Sequence, residues 1–220
     1  MTLLKHPLSW LGLAVALFSG TLALGTAAVR ADRETKPDWE YLEDDDGVRL
    51  WKLEVPGQDL PGFRGQTTIN ASIDDILAVM LKWEKHPDWM YRCAESKLLK
   101  RLDDRKAIMY NRTSAPWPVW DRDVIVQTDI DRAPDNKLLT VTFKNVPSEL
   151  KKVPESTIRM PRLVGFYKLW FVSPTQTKVM YQVESDIGGS IPKWLAVRAT
   201  KDLPRITLVK LKERVTGKED

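Results

Sequence analysis

Cysteine is nearly absent. Cys93 is the only one in 220 residues, so no internal disulfide can form and the core must hold the fold unaided. Histidine is almost as scarce. His6 lies in an N-terminal segment read below as a leader, which leaves His86 alone beside Pro87. One histidine with no neighbouring Cys or second His cannot build the usual zinc set, and it reads as a surface or capping residue. Cys93 has no base to activate it as a nucleophile except His86, seven residues away. G-x-S-x-G, P-loop and G-x-G-x-x-G motifs are missing. The Asp44-Asp45-Asp46 run reads as a solvated loop. The expectation is therefore no catalytic residue, no metal ligand and no cofactor. A strong excess of one charge is lacking too. Lys and Arg number 34 against 30 Asp and Glu, and Lys5 and Arg30 fall in the leader, so 32 minus 30 leaves about +2. With no Lys/Arg cluster interleaved with aromatics, nucleic acid is excluded as a partner.

Residues 1–31 read as a signal peptide. Lys5 and His6 make a positive start, 11–24 is almost wholly apolar, and Val29-Arg30-Ala31 has small residues at the two positions a signal peptidase reads. Cleavage is expected after Ala31. The competing reading is an uncleaved anchor, because the apolar run stretches from Leu8 to Val29 and would span a bilayer. Gly12, Ser19, Gly20, Gly25 and Thr26 dilute that run. Either way the rest of the chain is expected outside the cytoplasm, periplasmic or secreted. Residues 32–38 form a charged linker, 39–216 one domain and 217–220 a charged tail.

Within the domain the hydrophobic period changes twice. Residues 39–42 read as a short helix or an extended lead-in, and 47–55 and 63–70 as strands with a Pro56-Gly57 turn between them. Ser72 can cap a helix whose first turn holds Asp74 and Asp75 and whose buried face is Ile73, Ile76, Leu77, Met80 and Leu81. A short helical piece around Trp83, Pro87 and Trp89 follows. From Cys93 the period is two: strands are predicted at 96–102, 107–113, 123–131, 138–144, 156–159, 165–173 and 178–185, in an antiparallel meander. Val179, Tyr181 and Val183 share an inner face, as do Tyr167, Leu169 and Phe171. After Gly188-Gly189, Ser190 suits an N-cap and Pro192 a first turn. Leu195, Ala199, Leu203, Ile206, Leu208, Leu211 and Val215 then make one apolar stripe on a helix about 36 Å long. Pro204 removes a donor from it, and a kink near 200–203 is expected. The pattern implies an α+β fold in which a curved antiparallel sheet wraps around the long C-terminal helix.

Aromatics with polar edges are abundant: Trp83, Trp89, Tyr110, Trp117, Trp120, Tyr167, Trp170, Tyr181 and Trp194 among them. Most belong to a core. Some suit a cavity with apolar walls and few polar handles. Gly47-Val48-Arg49-Leu50-Trp51, then Ala115-Pro116-Trp117-Pro118-Val119-Trp120-Asp121-Arg122-Asp123, then Asp186-Ile187-Gly188-Gly189-Ser190-Ile191-Pro192-Lys193-Trp194-Leu195 occur in that order. Together they resemble the START (steroidogenic-acute-regulatory-related lipid-transfer) domain family, over residues 39 to 214 or so. The resemblance implies the helix-grip fold and a tunnel between sheet and last helix for one sterol, phospholipid or similar lipid. It implies neither cofactor nor catalysis. Arg122 and Asp123 are expected to be structural, the arginine pairing with a carboxylate. The residues expected to meet the lipid are Tyr110, Arg112, Tyr167, Leu169, Tyr181, Val183, Trp194, Leu195 and Ala199. Trp194 either packs on the sheet or touches a bilayer transiently, with Lys193 and Arg198 toward anionic head groups. The chain is expected to be a monomer. The alternatives are a helix-grip enzyme of polyketide cyclase or hydrolase type, and a ligand-sensing interaction module.

Overall fold

The computed structural model describes residues 37–217. The expected leader, its anchor alternative, most of the linker and all of the tail but Gly217 lie outside them. Among the described residues no helix is long and apolar enough to cross a membrane.

Of the two readings of 39–42 the extended one holds: residues 40–42 begin the first strand of a hairpin. β1 (Glu40–Asp45) pairs antiparallel with β2 (Val48–Leu53). Their two-residue loop, Asp46-Gly47, has positive φ at both positions, the conformation a tight hairpin turn requires. β3 (Gly62–Ile69) completes the first group. The chain then leaves the sheet in α1 (Ile73–Met80). Its start is a capping box: Ser72 Oγ accepts the Asp75 N–H at 3.1 Å, and Asp75 accepts the Ser72 N–H. One 3-10 segment, Trp83–Asp88, returns the chain to the sheet.

Seven strands follow: β4 (Cys93–Arg101), β5 (Lys106–Thr113), β6 (Asp121–Arg132), β7 (Leu138–Asn145), β8 (Thr157–Arg159), β9 (Arg162–Ser173) and β10 (Gln176–Asp186). They form one sheet with the first three, ordered β1-β2-β3-β10-β9-β7-β6-β5-β4. The last strand therefore joins the first group. β8 departs from the antiparallel meander by pairing with β6 in parallel. The inner face holds Val179, Tyr181 and Val183 of β10 and Tyr167 and Leu169 of β9, all buried. Phe171 does not follow them. It lies at the β9–β10 tip beyond the covered part of the sheet and is exposed. Trp170, on the outer face, is half-buried under the Lys178 ammonium, 4.7 Å from its ring centroid.

The chain ends in α2 (Lys193–Thr216), which fits the expected helix-grip arrangement. Its N-cap is Pro192 rather than Ser190, and no side chain caps it. The turn through Gly188 and Gly189, both at positive φ, leaves Ser190–Ile191 outside the helix. The helix runs on through Pro204. It presses closest on β3 at Gly65, where an added Cβ would stand 3.0 Å from Leu208 Cδ1 and 3.3 Å from Pro204 Cβ. The apolar core lies between α2, α1 and the inner face, and includes Val48, Ile69, Ile76, Leu139, Leu169, Leu208 and Leu211.

Candidate functional site

The single apolar stripe expected on α2 resolves into two neighbouring ones. Small or compact residues seal the helix to the sheet: Ala196, Thr200, Pro204 and Thr207, with Leu208 and Leu211, are buried. Beside them Leu195, Ala199 and Leu203 hang over a cavity of about 490 Å³. Ala199 lines the cavity and is also exposed, which marks the open side. Gly65 lets the helix approach the strand, and Leu195, Ala199 and Leu203 overhang space that no side chain among the described residues fills.

The cavity floor is the inner face of β5, β6, β7, β9 and β10. Met109 and Asn111, Val124 and Val126, Val141 and Phe143, Tyr167 and Tyr181 line it. Tyr167 and Tyr181 stack with centroids 4.2 Å apart, and Phe143 sits against both at 6.2 and 6.1 Å. Burial raises both phenol pKa values, so the hydroxyls stay protonated. The far wall is α1 and the 3-10 segment, with Met80, Trp83, His86 and Trp89.

Of the nine residues expected at the site, Tyr167, Tyr181, Trp194, Leu195 and Ala199 line the cavity. Leu169 and Val183 share the inner face but lie in the packed core beyond it. Tyr110 and Arg112 are on the wrong side of β5. Met109 and Asn111 alternate with them and face the cavity, so a period-two strand must turn Tyr110 and Arg112 outward. Arg112 there pairs with Asp121 at 2.5 Å and with Glu95 at 3.6 Å. Tyr110 is fully buried outside the cavity, beneath the Lys151 ammonium. Trp194 does not pack on the sheet: its side chain is 67 % exposed at the rim. Four methionines stand in the walls, Met80, Met90, Met109 and Met160; Met80 was expected on a buried helical face, but none was expected to meet the cargo, because methionine at scattered positions carries no signal of a cavity.

His86, Cys93, Arg122 and Asp123, in or near the cavity walls, are already committed. His86 is not on the surface but buried. Its Nε2–H donates to the Met80 carbonyl at 2.8 Å, and Ser96 Oγ is 3.4 Å from Nδ1. Burial lowers its pKa and keeps the ring neutral. Cys93 is buried too, its thiol donating to the Glu95 carbonyl, and burial pushes its pKa up to about 12. No thiolate forms at neutral pH. Arg122 pairs with backbone oxygens rather than the expected carboxylate. It donates to the carbonyls of Trp120, Ile187 and Gly188 at 2.5, 3.2 and 3.0 Å. A charged side chain in the cavity wall thus clamps the turn that launches α2. Asp123, fully buried, instead receives Arg159 through two bonds of 2.7 and 3.0 Å. Four buried polar atoms on cavity-lining residues have no hydrogen-bond partner among the described residues: Trp83 Nε1, Trp89 Nε1, Asn111 Oδ1 and the Tyr167 hydroxyl. Such groups cost free energy until something satisfies them. The arrangement suits an apolar molecule with a few polar atoms.

Comparison with known proteins agrees with this geometry. The START domain signature matches residues 27–203. An uncharacterised protein of Pseudomonas aeruginosa is 35 % identical over 173 residues, 78 % of this chain and 83 % of that one. The crystal structure of a STAR-related lipid transfer protein from Xanthomonas axonopodis is similar with a TM-score of 0.73 and 31 % identity, covering 81 % of this chain and 98 % of that one. Human StAR-related lipid transfer protein 5 shares the fold at a TM-score of 0.70 and 15 % identity, over 84 % of this chain and 89 % of its own.

Proposed function

The chain belongs to the START domain family, and on that premise we propose that it is an exported carrier of one hydrophobic molecule. The cargo is a sterol, a phospholipid or a similar lipid, held beneath α2, and the protein performs no chemistry on it. The observation that carries this reading is the open cavity of about 490 Å³ between helix and sheet, where a solid core would have left none. Small-molecule sites run from about 300 to 1,000 Å³. The methionine-rich walls adapt to irregular shapes at little cost. Shielding the cargo is the physical task, since each methylene left in water costs about 0.8 kcal/mol. Three groups that could act as acid, base or nucleophile are spoken for: His86 Nε2 by Met80, Arg122 by three carbonyls, Cys93 by its proton. Removal of residues 1–31, a monomeric state and transient contact with a membrane surface complete the proposal.

Native mass spectrometry of the protein loaded from a lipid extract tests it. One lipid per chain is expected, and none in Ala199→Trp, whose indole would occupy the space under the helix. Ala199 is exposed, so that variant should fold with an unchanged melting point. A wild-type protein that retains no lipid, or that turns over an ester or cyclisable substrate, would sink the carrier reading.

A further inference from the structure

We propose that Tyr167 and Tyr181 form a stop that fixes how long a chain the cavity accepts, a specificity role that rests on the carrier reading. The residues lining the cavity end at one level on four elements. At β10 they take in Ile187, Ser185 and Tyr181, and the next inward residue, Val179, is fully buried in the core. The lining ends at Tyr167 before Leu169 on β9, and at Val141 before Leu139 on β7. On α2 it ends at Leu203 before Pro204. Register makes these levels coincide. Val141, Tyr167, Tyr181 and Gly65 are partners across β7, β9, β10 and β3. Gly65 is where α2 presses closest, under Pro204 and Leu208. The two phenols thus stand where the cavity gives way to the seal between helix and sheet. Along β6 the lining runs from Arg122 to Thr128, six residue steps or about 20 Å at about 3.3 Å each. A chain lying along the sheet has that depth and then meets two rings.

The stop is braced from both sides. The planes of the two stacked rings are 9° apart, and both residues are buried. Phe143 leans on the pair from β7, and it reaches them because its partner on β9 is Gly165. A Cβ at Gly165 would stand 2.5 Å from Phe143 Cζ and 2.1 Å from the Gln182 carbonyl oxygen. Any side chain there would push the phenylalanine ring away. Behind the pair, Leu169, Val179 and Leu208 are fully buried and leave the rings no room to retreat. A close-packed interior yields little, and forcing extra methylenes into it costs more than it gains. The methionines in the side walls have three rotatable bonds each and give way; three interlocked rings do not. The cavity therefore tolerates variation in the width of its cargo and limits its reach. A methylene short of the stop gains the full benefit of burial, and one beyond it is pushed back toward water.

Binding of saturated fatty acids, from decanoic to docosanoic acid, to the wild type and to Tyr181→Leu and Tyr181→Phe decides it. Wild-type affinity should rise roughly fourfold with each added methylene and then level off at one length. Tyr181→Leu takes a ring out of the stop. Its affinity should keep rising past that length, so that the longest acids bind at least about fourfold tighter than to the wild type. Tyr181→Phe keeps the ring and should level off with the wild type. If Tyr181→Leu does not fold, Phe143→Leu takes its place: that ring is only partly buried, and losing it frees the pair from its brace. A folded leucine variant that levels off at the wild-type length overturns the stop. So does a phenylalanine variant that behaves like the leucine one, or a wild type that binds no fatty acid or shows no levelling. Loading from the lipid extract judges the carrier reading separately. A wild type that takes up extract lipid but shares its break point with Tyr181→Leu keeps the carrier and loses the stop.

Discussion

His86 stands between Trp83 and Trp89, its ring centroid 5.6 and 5.0 Å from theirs, with its Nε2–H on the Met80 carbonyl. Burial depresses its pKa below the ordinary histidine value, against a weaker opposing effect of that hydrogen bond. The unfolded chain then binds the proton more readily than the folded one, so stability rises with pH wherever the two differ. The expected consequence is a melting point that falls as pH drops below about 6.5, down to the lowered folded pKa. His86→Gln keeps a donor for Met80 and should flatten that part of the curve. Parallel curves for the two proteins would show that His86 is not the group responsible. The sequence could not place this residue, because a lone histidine in a polar stretch carries no periodic mark of burial. Tyr110 and Arg112 were misplaced for a related reason. Alternation finds the inner face of a strand when the outer face is wet. Here the segment after β7 crosses the outer face, with Lys151 reaching Glu95 and the Tyr110 ring and Arg159 reaching Asp123. Both faces of β5 and β6 are covered, so burial and polarity no longer separate inside from outside.

On the scale of elements, α2 is two mechanical pieces in one helix. Pro204 has no N–H, so the Thr200 carbonyl lacks its usual partner four residues on. The Thr200 hydroxyl meanwhile donates to the carbonyls of Ala196 and Val197, a bonding mode that tends to bend helices. Below this point Thr207, Leu208 and Leu211 are fully buried, Thr207 accepting the Tyr91 N–H at 3.2 Å. Above it, residues 193–203 cover an open cavity and hold on through Ala196 and Thr200 alone among fully buried side chains. The upper half should open without the lower. Hydrogen exchange should find its amides at least about tenfold less protected than those of 207–215, a difference of about 1.4 kcal/mol in opening free energy. Uniform protection along α2 would remove the hinge. This division was half legible beforehand. Proline and the glycine pair marked where the helix weakens and begins. The stripe was only partly read because helical spacing ranks residues by hydrophobicity, while Gly65 on β3 leaves room for Pro204 beside Leu208. The strand order was legible from turn signals, but the pairing of β10 with β3, which closes the sheet around the helix, joins residues more than a hundred positions apart and leaves no local trace.

For the whole molecule the cavity and the hinge are one thermodynamic problem. An empty apolar space forfeits the contacts that a filled one would make, and the upper half of α2 has little else beneath it. Cargo that binds only the folded state adds stability by mass action, about 2.7 kcal/mol at a hundredfold excess over its dissociation constant. For a domain of this size each kcal/mol moves the melting point by about 2 to 4 °C, so stripping the lipid should lower it by about 5 to 10 °C. The loss should also be uneven. Delipidation should speed exchange in residues 193–203 and in the Trp83–Asp88 segment, which wall the cavity, and leave residues 207–215 and the β3–β10 pairing close to their loaded values. A stripped protein that melts at the loaded temperature, or that loosens evenly throughout, would mean that the space beneath α2 is not where the cargo sits. Restoring the melting point and the exchange pattern together by adding lipid back would tie the geometry of the cavity to its occupancy in one measurement.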